Sequence, residues 1–142
     1  MGGIDVVELT GLGELPCVRD FRGLDVWRKA HALMLNVRRV TRDFHRARSG
    51  PLQSQITRSS EAIPNNIVEG CFAATQKEFA RYLDISIKSS GETEYQLQQA
   101  RDRGLLGMRD WRSMFAQTVE VRKMLIGLRK KILRDLSDDQ PE

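Results

Sequence analysis

Residues 75–103, TQKEFARYLDISIKSSGETEYQLQQARDR, decide the fold class of this chain. Thr75 stands just before a long periodic segment, and Glu78 lies three residues after Thr75, the spacing of a capping box. This pattern predicts a helix beginning at Gln76. Inward-facing positions recur every three or four residues as far as about Arg103. They are Phe79, Leu83, Ser86, Ser90, Thr93, Leu97 and Ala100. The small polar residues at the centre of this face predict close contact with a second helix.

Three further segments carry the same helical period. They are Leu24–Phe44, a segment that starts at Leu52 and continues to Cys71, and Met108–Leu136, with approximate ends. The Gly-Pro pair at 50–51 and the glycines at 104 and 107 mark two of the turns between them. The spacing therefore predicts four helices and no sheet.

Pro64 stands inside the second helical segment and is followed by Asn65 and Asn66. Because proline lacks an amide proton and clashes with the preceding turn, we expect a kink or a break there. Either asparagine could satisfy the backbone groups that Pro64 leaves free, or cap a helix that restarts. A polar contact point for a partner is the alternative interpretation.

Four amphipathic helices joined by short polar loops predict an all-α protein, an antiparallel up-down four-helix bundle over residues 21–136. Residues 1–20 fit no helical period and are expected to form a non-helical N-terminal extension, and residues 137–142 an acidic tail. A length of 142 residues, 40% of them hydrophobic, agrees with one domain. The lack of a long apolar run or a basic leader favours a cytoplasmic protein over a membrane or secreted one.

Catalytic and metal-binding patterns are absent from the sequence. Glu92 and Glu94 fall on different faces of the third helix, which argues against an acid–base pair. Neither His31 nor His45 follows a glutamate at the three-residue spacing of a di-metal bundle, and there is no glycine-rich phosphate loop. We therefore expect a protein that is not an enzyme and that has no cofactor and no metal.

The net charge of +4 conceals a basic middle, since residues 1–20 carry −3, residues 21–136 carry +10 and residues 137–142 carry −3. On a helical wheel, cations of the first and fourth helices form two stripes outside the apolar faces. These are Arg28, Arg39, Arg42 and Arg46, and Arg112, Lys123, Lys130 and Arg134. The stripes favour the backbone of RNA or DNA as a partner, through phosphate contacts rather than base stacking. Alternatively, these bases only solvate exposed helix faces.

Four stretches of the sequence carry a resemblance to a known family: LDVWRKA (24–30), QITRSSEAIPNNIVEG (55–70), KEFARYLDIS (77–86) and SSGETEYQL (89–97). Over Phe21–Leu106 the chain resembles the small bacterial four-helix bundle proteins first noticed as products of 23S rRNA intervening sequences. A relative in that family, the accessory variability determinant protein of diversity-generating retroelements, is a homopentamer that binds its reverse transcriptase and nucleic acid. The resemblance thus implies the bundle, a homopentamer and a reverse transcriptase as partner.

Ala32 and Leu35 lie in the outward arc of the first helix. Together with the resemblance, they predict a contact between copies of the chain in a homo-oligomer, most simply a pentamer. The sequence therefore predicts a non-enzymatic basic bundle that assembles as a ring and binds nucleic acid, a nucleic-acid enzyme such as a reverse transcriptase, or both. The competing hypothesis is a structural or scaffolding oligomer whose bases form ion pairs between subunits.

Overall fold

The computed structural model describes residues 19–139, in which helices are joined by short connections. A 3-10 turn at Phe21–Gly23 precedes the first helix, and another at Phe44–Ala47 lies in the loop after it. The four helices are α1 (Asp25–Thr41), α2 (Gly50–Cys71), α3 (Gln76–Asp102) and α4 (Met108–Asp138). Because the described residues contain no strand, the predicted all-α class is confirmed.

Hydrogen bonds across the seams between neighbouring helices fix their directions. Between α2 and α3, Ser59 bonds Gln96 while the carbonyl of Ile63 accepts from Ser86, so residue numbers rise on one helix as they fall on the other. The other three seams are crossed by Glu94 with Arg122 for α3–α4, by Asn36 with Gln117 for α1–α4 and by Arg38 with Glu61 for α1–α2. Each helix thus packs on the two beside it, and the predicted antiparallel up-down bundle is confirmed.

One apolar core runs along the centre of the bundle, with contributions from all four helices. Its largest fully buried side chains include Leu33, Val37, Ile56, Ile63, Ile67, Phe79, Leu83, Leu97, Met114, Val121 and Leu125. Burying each of these contributes about 1.5–3 kcal/mol before the entropy of ordering is counted. Trp27 and Trp111 are half-buried and pack against this core from opposite ends of the bundle.

The seam between α2 and α3 is lined by small hydroxyl side chains, so the close contact predicted for the third helix is made with α2. Thr93 Oγ1 donates to Ser59 Oγ at 2.9 Å, and Ser59 Oγ donates to Gln96 Oε1 at 2.6 Å. Ser86 Oγ reaches across the seam to the carbonyl of Ile63 at 2.9 Å. Because these buried hydroxyls have partners, the helices avoid the cost of about 1–3 kcal/mol that an unpaired buried polar group carries.

α2 continues through Pro64, so a break, one of the two outcomes expected there, does not occur. Proline at this position removes the amide that would bond the carbonyl of Ser60. Asn66 Nδ2 donates instead to the carbonyl of Ala62, at 2.8 Å. Asn66 therefore bonds within α2, but it does not make the expected contact with the carbonyl of Ser60 that Pro64 leaves free.

Local signals place the ends of α3 as predicted. Thr75 Oγ1 accepts the amide of Glu78 at 3.1 Å, which satisfies a free donor of the first turn, and Glu78 Oε2 accepts the amide of Ala74, just before the helix, at 3.3 Å. At the other end, Gly104 has a left-handed backbone with φ of 73°, a conformation that glycine adopts without strain.

The remaining boundaries differ from expectation by two or three residues. α1 ends at Thr41, and α2 begins at Gly50 because Pro51 fits the first turn of a helix. α4 continues to Asp138, two residues into the expected acidic tail. The expected N-terminal extension lies outside the described residues except for its last two positions, which are not helical. No helix within residues 19–139 is long and apolar enough to cross a membrane.

Candidate nucleic-acid interface

The up-down topology brings the last turns of α1 and α3 to the same end of the bundle as the first turns of α2 and α4. This end, formed by residues 38–61 and 97–113, contains ten arginines, no lysine and four carboxylates. The arginines are Arg38, Arg39, Arg42, Arg46, Arg48, Arg58, Arg101, Arg103, Arg109 and Arg112. We refer to these two segments as the arginine end.

The opposite end is formed by residues 19–31, 66–84 and 120–139, and we refer to it as the mixed end. It holds twelve arginines and lysines but also nine carboxylates, so its charges nearly balance. Among its cations, Arg28 pairs with Asp25 of the same helix, and Lys29 of α1 pairs with Glu120 of α4. The summed field of the bundle is therefore more positive at the arginine end.

A groove of about 620 Å³ separates α1 from α2 at the arginine end, and we call it the arginine groove. Its lining residues are Arg38, Arg39, Thr41, Arg42, Gln53, Ser54, Thr57, Arg58 and Glu61. Each guanidinium presents several donors in a planar fork that matches the oxygens of a phosphate. The groove therefore offers donors from both of its walls to an anion placed between the two helices.

Glu61 is the one carboxylate in the lining of this groove, and it lies 3.1 Å from Nη1 of Arg38. Arg39, Arg42 and Arg58 are exposed and form no ion pair with any residue in the range 19–139. Three cations thus remain available to an external anion, while Arg38 is held by its glutamate.

Outside the groove, several arginines of this end are engaged by neighbours. Arg46 lies 3.7 Å from Asp43, and Arg103 Nη2 donates to Ser49 Oγ at 3.2 Å. The guanidinium of Arg101 lies 4.3 Å from the centre of the Trp111 ring, a cation–π contact. These contacts orient the cations around the groove and restrict their side-chain freedom.

The stripe predicted on α1 is divided between the two ends. Arg39 and Arg42 line the arginine groove, and Arg46 follows in the loop after α1. Arg28 lies about 16 Å further along the helix axis, at the mixed end, where it pairs with Asp25 and donates to the carbonyl of Arg22 at 2.8 Å. One helix face therefore holds cations in two different electrostatic surroundings.

The stripe predicted on α4 is divided in the same way. Arg112 belongs to the arginine end, whereas Lys123, Lys130 and Arg134 belong to the mixed end. From the contact of Asn36 with Gln117, Arg42 and Lys130 are roughly 30 Å apart along the bundle axis. All eight predicted cations are exposed, but they do not form one continuous surface.

The sequence prediction named two of the groove residues, Arg39 and Arg42, and missed the other seven. These are Arg38 and Thr41 on α1 and Gln53, Ser54, Thr57, Arg58 and Glu61 on α2. The signal was nevertheless present, because antiparallel neighbours joined by a short loop must place the start of α2 beside the end of α1.

The residues predicted to join copies of the chain, Ala32 and Leu35, are both exposed on α1. Leu35 keeps 51% of its surface accessible, which is high for a leucine in a folded domain but common for an isolated residue. The described chain does not include a second copy, so their role in assembly stays a prediction.

Cys71 is fully buried at the mixed end. Burial raises the pKa of its thiol to about 11, with the charge of Arg19 lowering it and that of Asp20 raising it by smaller amounts. Because the thiolate is the reactive form, this cysteine is inert near neutral pH. Within residues 19–139, no group of three or more histidine, cysteine or acidic residues is placed to hold a metal ion.

Comparisons with known proteins agree with this geometry. Residues 22–127 match the sequence model of a family described as 23S rRNA-intervening sequence protein. The fold is similar to a crystal structure of a protein of unknown function from the S23 ribosomal protein family of Bacteroides thetaiotaomicron, with a TM-score of 0.70 and 24% identity over 74% of this chain and 95% of that one. A search of curated proteins gives no match. The family resemblance found in the sequence is confirmed, and the relation to retroelement proteins stays a prediction.

Proposed function

The chain belongs to the 23S rRNA-intervening sequence protein family, and from that premise we propose that it is a non-enzymatic, homo-oligomeric bundle that binds the phosphate backbone of nucleic acid at its arginine end. The observation that carries this proposal is the arginine groove, where Arg39, Arg42 and Arg58 are exposed without a carboxylate partner among the described residues. Cations held for internal stability usually face acidic side chains, and these three do not.

The composition of the site suits an oxyanion with several oxygens, such as phosphate. All ten cations of the arginine end are arginines, whose forked donors match two phosphate oxygens at once, whereas lysine offers a point charge. The hydroxyls and amide in the groove lining, from Ser54, Thr57 and Gln53, add neutral donors. Contacts to phosphate oxygens carry no sequence information, so the proposed binding is independent of sequence.

Assembly is a separate part of the proposal. We place a contact between copies at the outward side of α1, around Ala32 and Leu35, and a pentameric ring is the assembly that the retroelement relative suggests. In such a ring several arginine grooves would act together, and avidity would raise the affinity for a long polyanion without any new contact. A reverse transcriptase remains the protein partner proposed on the same resemblance.

The experiment that tests this function measures the affinity of the full chain for single-stranded RNA, duplex RNA and duplex DNA of equal length. Between about 50 and 200 mM salt, the logarithm of the binding constant should fall linearly with the logarithm of the salt concentration. A slope of about −3 on duplex DNA is expected if three phosphates are neutralised per chain. No measurable binding at low salt would favour the scaffolding alternative.

Light scattering on the same samples tests assembly independently of binding. A monomer at micromolar concentration would refute the ring, whatever the binding result. If the oligomer exists, Leu35→Glu should lower its mass and leave the helical circular dichroism unchanged. Ile85→Glu, on the outward side of α3 and also partly exposed, is the matched control that should leave the mass unchanged.

A further inference from the structure

A second cavity of the arginine end lies on the other side of α2, between α2 and α3, and has a volume of about 260 Å³. We call it the α2–α3 cleft. Its lining includes Arg58, Ser59 and Ala62 of α2 and Ser89, Glu92 and Gln96 of α3. Arg58 also lines the arginine groove, so this arginine stands on the ridge between the two cavities. A ligand bound to Arg58 in the groove can therefore extend into the cleft.

Ser89 is the first sign that the cleft accepts a ligand. The residue keeps only 7% of its surface accessible, it lines the cleft, and its hydroxyl has no hydrogen-bond partner within residues 19–139. The other buried hydroxyls of this seam, from Ser59, Ser86 and Thr93, all have partners. Since buried polar groups are as a rule hydrogen-bonded, the Ser89 hydroxyl is a group that a ligand in the cleft would satisfy.

Gln96 is held in one orientation by the hydroxyls behind it. Thr93 Oγ1 donates to Ser59 Oγ at 2.9 Å, and Ser59 Oγ donates to Oε1 of Gln96 at 2.6 Å. The carbonyl oxygen of this amide is therefore engaged on the protein side. Its nitrogen has no acceptor in the described part of the chain and remains free to donate into the cleft.

Glu92 and Arg58 supply unpaired charges of opposite sign on the two walls of the cleft. Both side chains are exposed, and neither forms an ion pair with the other or with any further residue of the range 19–139. The carboxylate accepts hydrogen bonds only, whereas the guanidinium donates only. The ligand that suits both carries an anionic group next to a hydroxyl that can donate.

The size and lining of the cleft favour a sugar over a nucleobase. No aromatic side chain of residues 19–139 lines the cleft, so a base would have no ring on which to stack. The volume of about 260 Å³ is below the range of about 300–1,000 Å³ that encloses a drug-sized ligand. A single sugar with its hydroxyls fits both the space and the polar lining.

We propose that the α2–α3 cleft binds a ribose of RNA through its 2′-hydroxyl, while the adjacent phosphate contacts Arg58. The hydroxyl donates to the carboxylate of Glu92, and its oxygen accepts from Nε2 of Gln96 and from Oγ of Ser89. Deoxyribose lacks this hydroxyl and leaves all three groups without a partner, so the site binds RNA more tightly than DNA. The inference rests on the proposed function and names the nucleic acid that the same end prefers, with no dependence on base sequence.

Three single strands of equal length test the ribose contact in the full chain at fixed low salt: oligouridine, oligodeoxyuridine and 2′-fluoro oligouridine. The 2′-fluoro sugar keeps the pucker of RNA but cannot donate a hydrogen bond, so it separates the hydroxyl contact from sugar shape. Oligouridine should bind about tenfold more tightly than either of the others, because the lost bond is to a charged group.

The outcomes of this comparison separate the ribose site from the proposed function. Equal binding of oligouridine and oligodeoxyuridine would overturn the ribose site and leave phosphate binding at the arginine end intact. Binding of 2′-fluoro oligouridine as tight as that of oligouridine would overturn the hydroxyl contact. No binding of any strand would refute the proposed function, and this inference with it.

Glu92→Ala tests the acceptor, with the RNA-to-DNA affinity ratio as the readout. Removing a carboxylate strengthens the binding of both strands by charge alone, and the ratio cancels that effect. The ratio should fall about tenfold, which brings the two affinities together. Glu69→Ala is the matched control, since Glu69 is an exposed carboxylate of α2 that forms no ion pair within residues 19–139 and lies outside the cleft. Equal ratios in the two variants would overturn the assignment to Glu92.

Ser89→Ala separates a binding role from a structural one. Because the hydroxyl has no partner in the free protein, its removal should leave urea unfolding unchanged and lower the RNA-to-DNA ratio about threefold. Ser86→Ala is the control, since Ser86 Oγ bonds the carbonyl of Ile63 at 2.9 Å. It should lower stability and leave the ratio unchanged. An unchanged ratio in Ser89→Ala would refute the contact with Ser89.

Arg39→Ala distinguishes the cleft from the groove. Arg39 lines the arginine groove but not the α2–α3 cleft. Its loss should weaken the binding of RNA and DNA by the same factor, because phosphate is common to both. A lower RNA-to-DNA ratio in this variant would place the preference for RNA in the groove and overturn the ribose cleft.

Discussion

The two ends of the bundle carry similar numbers of cations, ten at the arginine end and twelve at the mixed end, yet they hold them differently. At the mixed end nine carboxylates share the surface, and cations such as Lys29 are engaged by residues of a neighbouring helix. At the arginine end Arg39, Arg42 and Arg58 meet no carboxylate in the described range. Because Lys123, Lys130 and Arg134 of the mixed end also form no ion pair within residues 19–139, the number of unpaired bases does not separate the ends. The comparison teaches that the excess of positive charge and its concentration in one groove distinguish the arginine end.

The largest expected effect comes from reversing the charge of the three unpaired arginines in the groove. Replacing Arg39, Arg42 and Arg58 together by glutamate should weaken nucleic-acid binding about a thousandfold, because three charge-assisted contacts of about 1.5 kcal/mol each are lost. Fluorescence polarisation at fixed low salt measures the change, and circular dichroism should show unchanged helicity. Arg46→Glu is the control, since this arginine already lies 3.7 Å from Asp43 and outside the groove lining. Binding as tight as that of the parent would remove the distinction between the ends.

The two tryptophans lie at opposite ends of the bundle, so their substitution compares the contribution of each end to the free energy of unfolding. Trp27→Ala and Trp111→Ala should each lower the free energy of unfolding by about 2 kcal/mol, less than for a fully buried tryptophan because both are half-buried. Neither substitution should change nucleic-acid affinity by more than about twofold, because neither ring lines the arginine groove and Arg101, beside Trp111, is already paired with Asp102. Urea unfolding and the binding assay measure stability and affinity separately. A large loss of affinity in Trp111→Ala alone would extend the site from the groove to the turn between α3 and α4.

Alkaline pH should act on the mixed end through Cys71. The folded protein keeps the thiol protonated up to a pKa of about 11, whereas the unfolded chain releases this proton near its ordinary pKa. Stability contributed by the protonated thiol is therefore present below the ordinary pKa and is lost as the pH rises towards 11. From about pH 8 to about pH 10, the parent should lose about 1 kcal/mol more than Cys71→Ala. Identical pH profiles in urea unfolding would contradict the buried, protonated thiol.

The smallest effect is expected from the cations of α4 at the mixed end. Replacing Lys123, Lys130 and Arg134 by glutamate should change nucleic-acid affinity by less than about twofold, because their distances from Arg42 along the bundle axis, roughly 18 to 35 Å, exceed the screening length of about 8 Å at physiological salt. When this triple substitution is combined with the groove variant, it should cause no further loss of nucleic-acid affinity. An additive loss would show that the two predicted stripes act as one surface after all.

The fold was predictable because local signals agree with the global pattern. The cap at Thr75 and the turn at Gly104 set the limits of α3, and the apolar period located all four helices to within a few residues. Of the kink or break expected at Pro64, the break does not occur, since the residue is buried in the bundle and Asn66 and Ser86 bond the carbonyls of Ala62 and Ile63 beside it. Sequence alone does not reveal such partners.

The site was predictable only in part. A helical wheel gives the direction of a side chain around its helix but discards its position along the axis. It therefore grouped Arg28 with Arg39, although the structure places them at opposite ends of the bundle, and it grouped Arg112 with Lys130 in the same way. Arg58 was missed because the periodicity of one helix does not show which of its residues lie beside the basic end of a neighbouring helix. The helical wheel also predicts that all eight cations are exposed, which depends only on the angle of each side chain around its helix, and in the structure all eight are exposed.

The lack of lysine at the arginine end has a practical consequence for handling the protein. All six lysines, at positions 29, 77, 88, 123, 130 and 131, lie outside residues 38–61 and 97–113. Amine-reactive chemistry, which spares guanidinium groups, would attach the bundle to a sensor surface or a bead by its other end and sides. None of these attachments would modify the arginines of the groove, so a polyanion passed over the surface would meet an intact site.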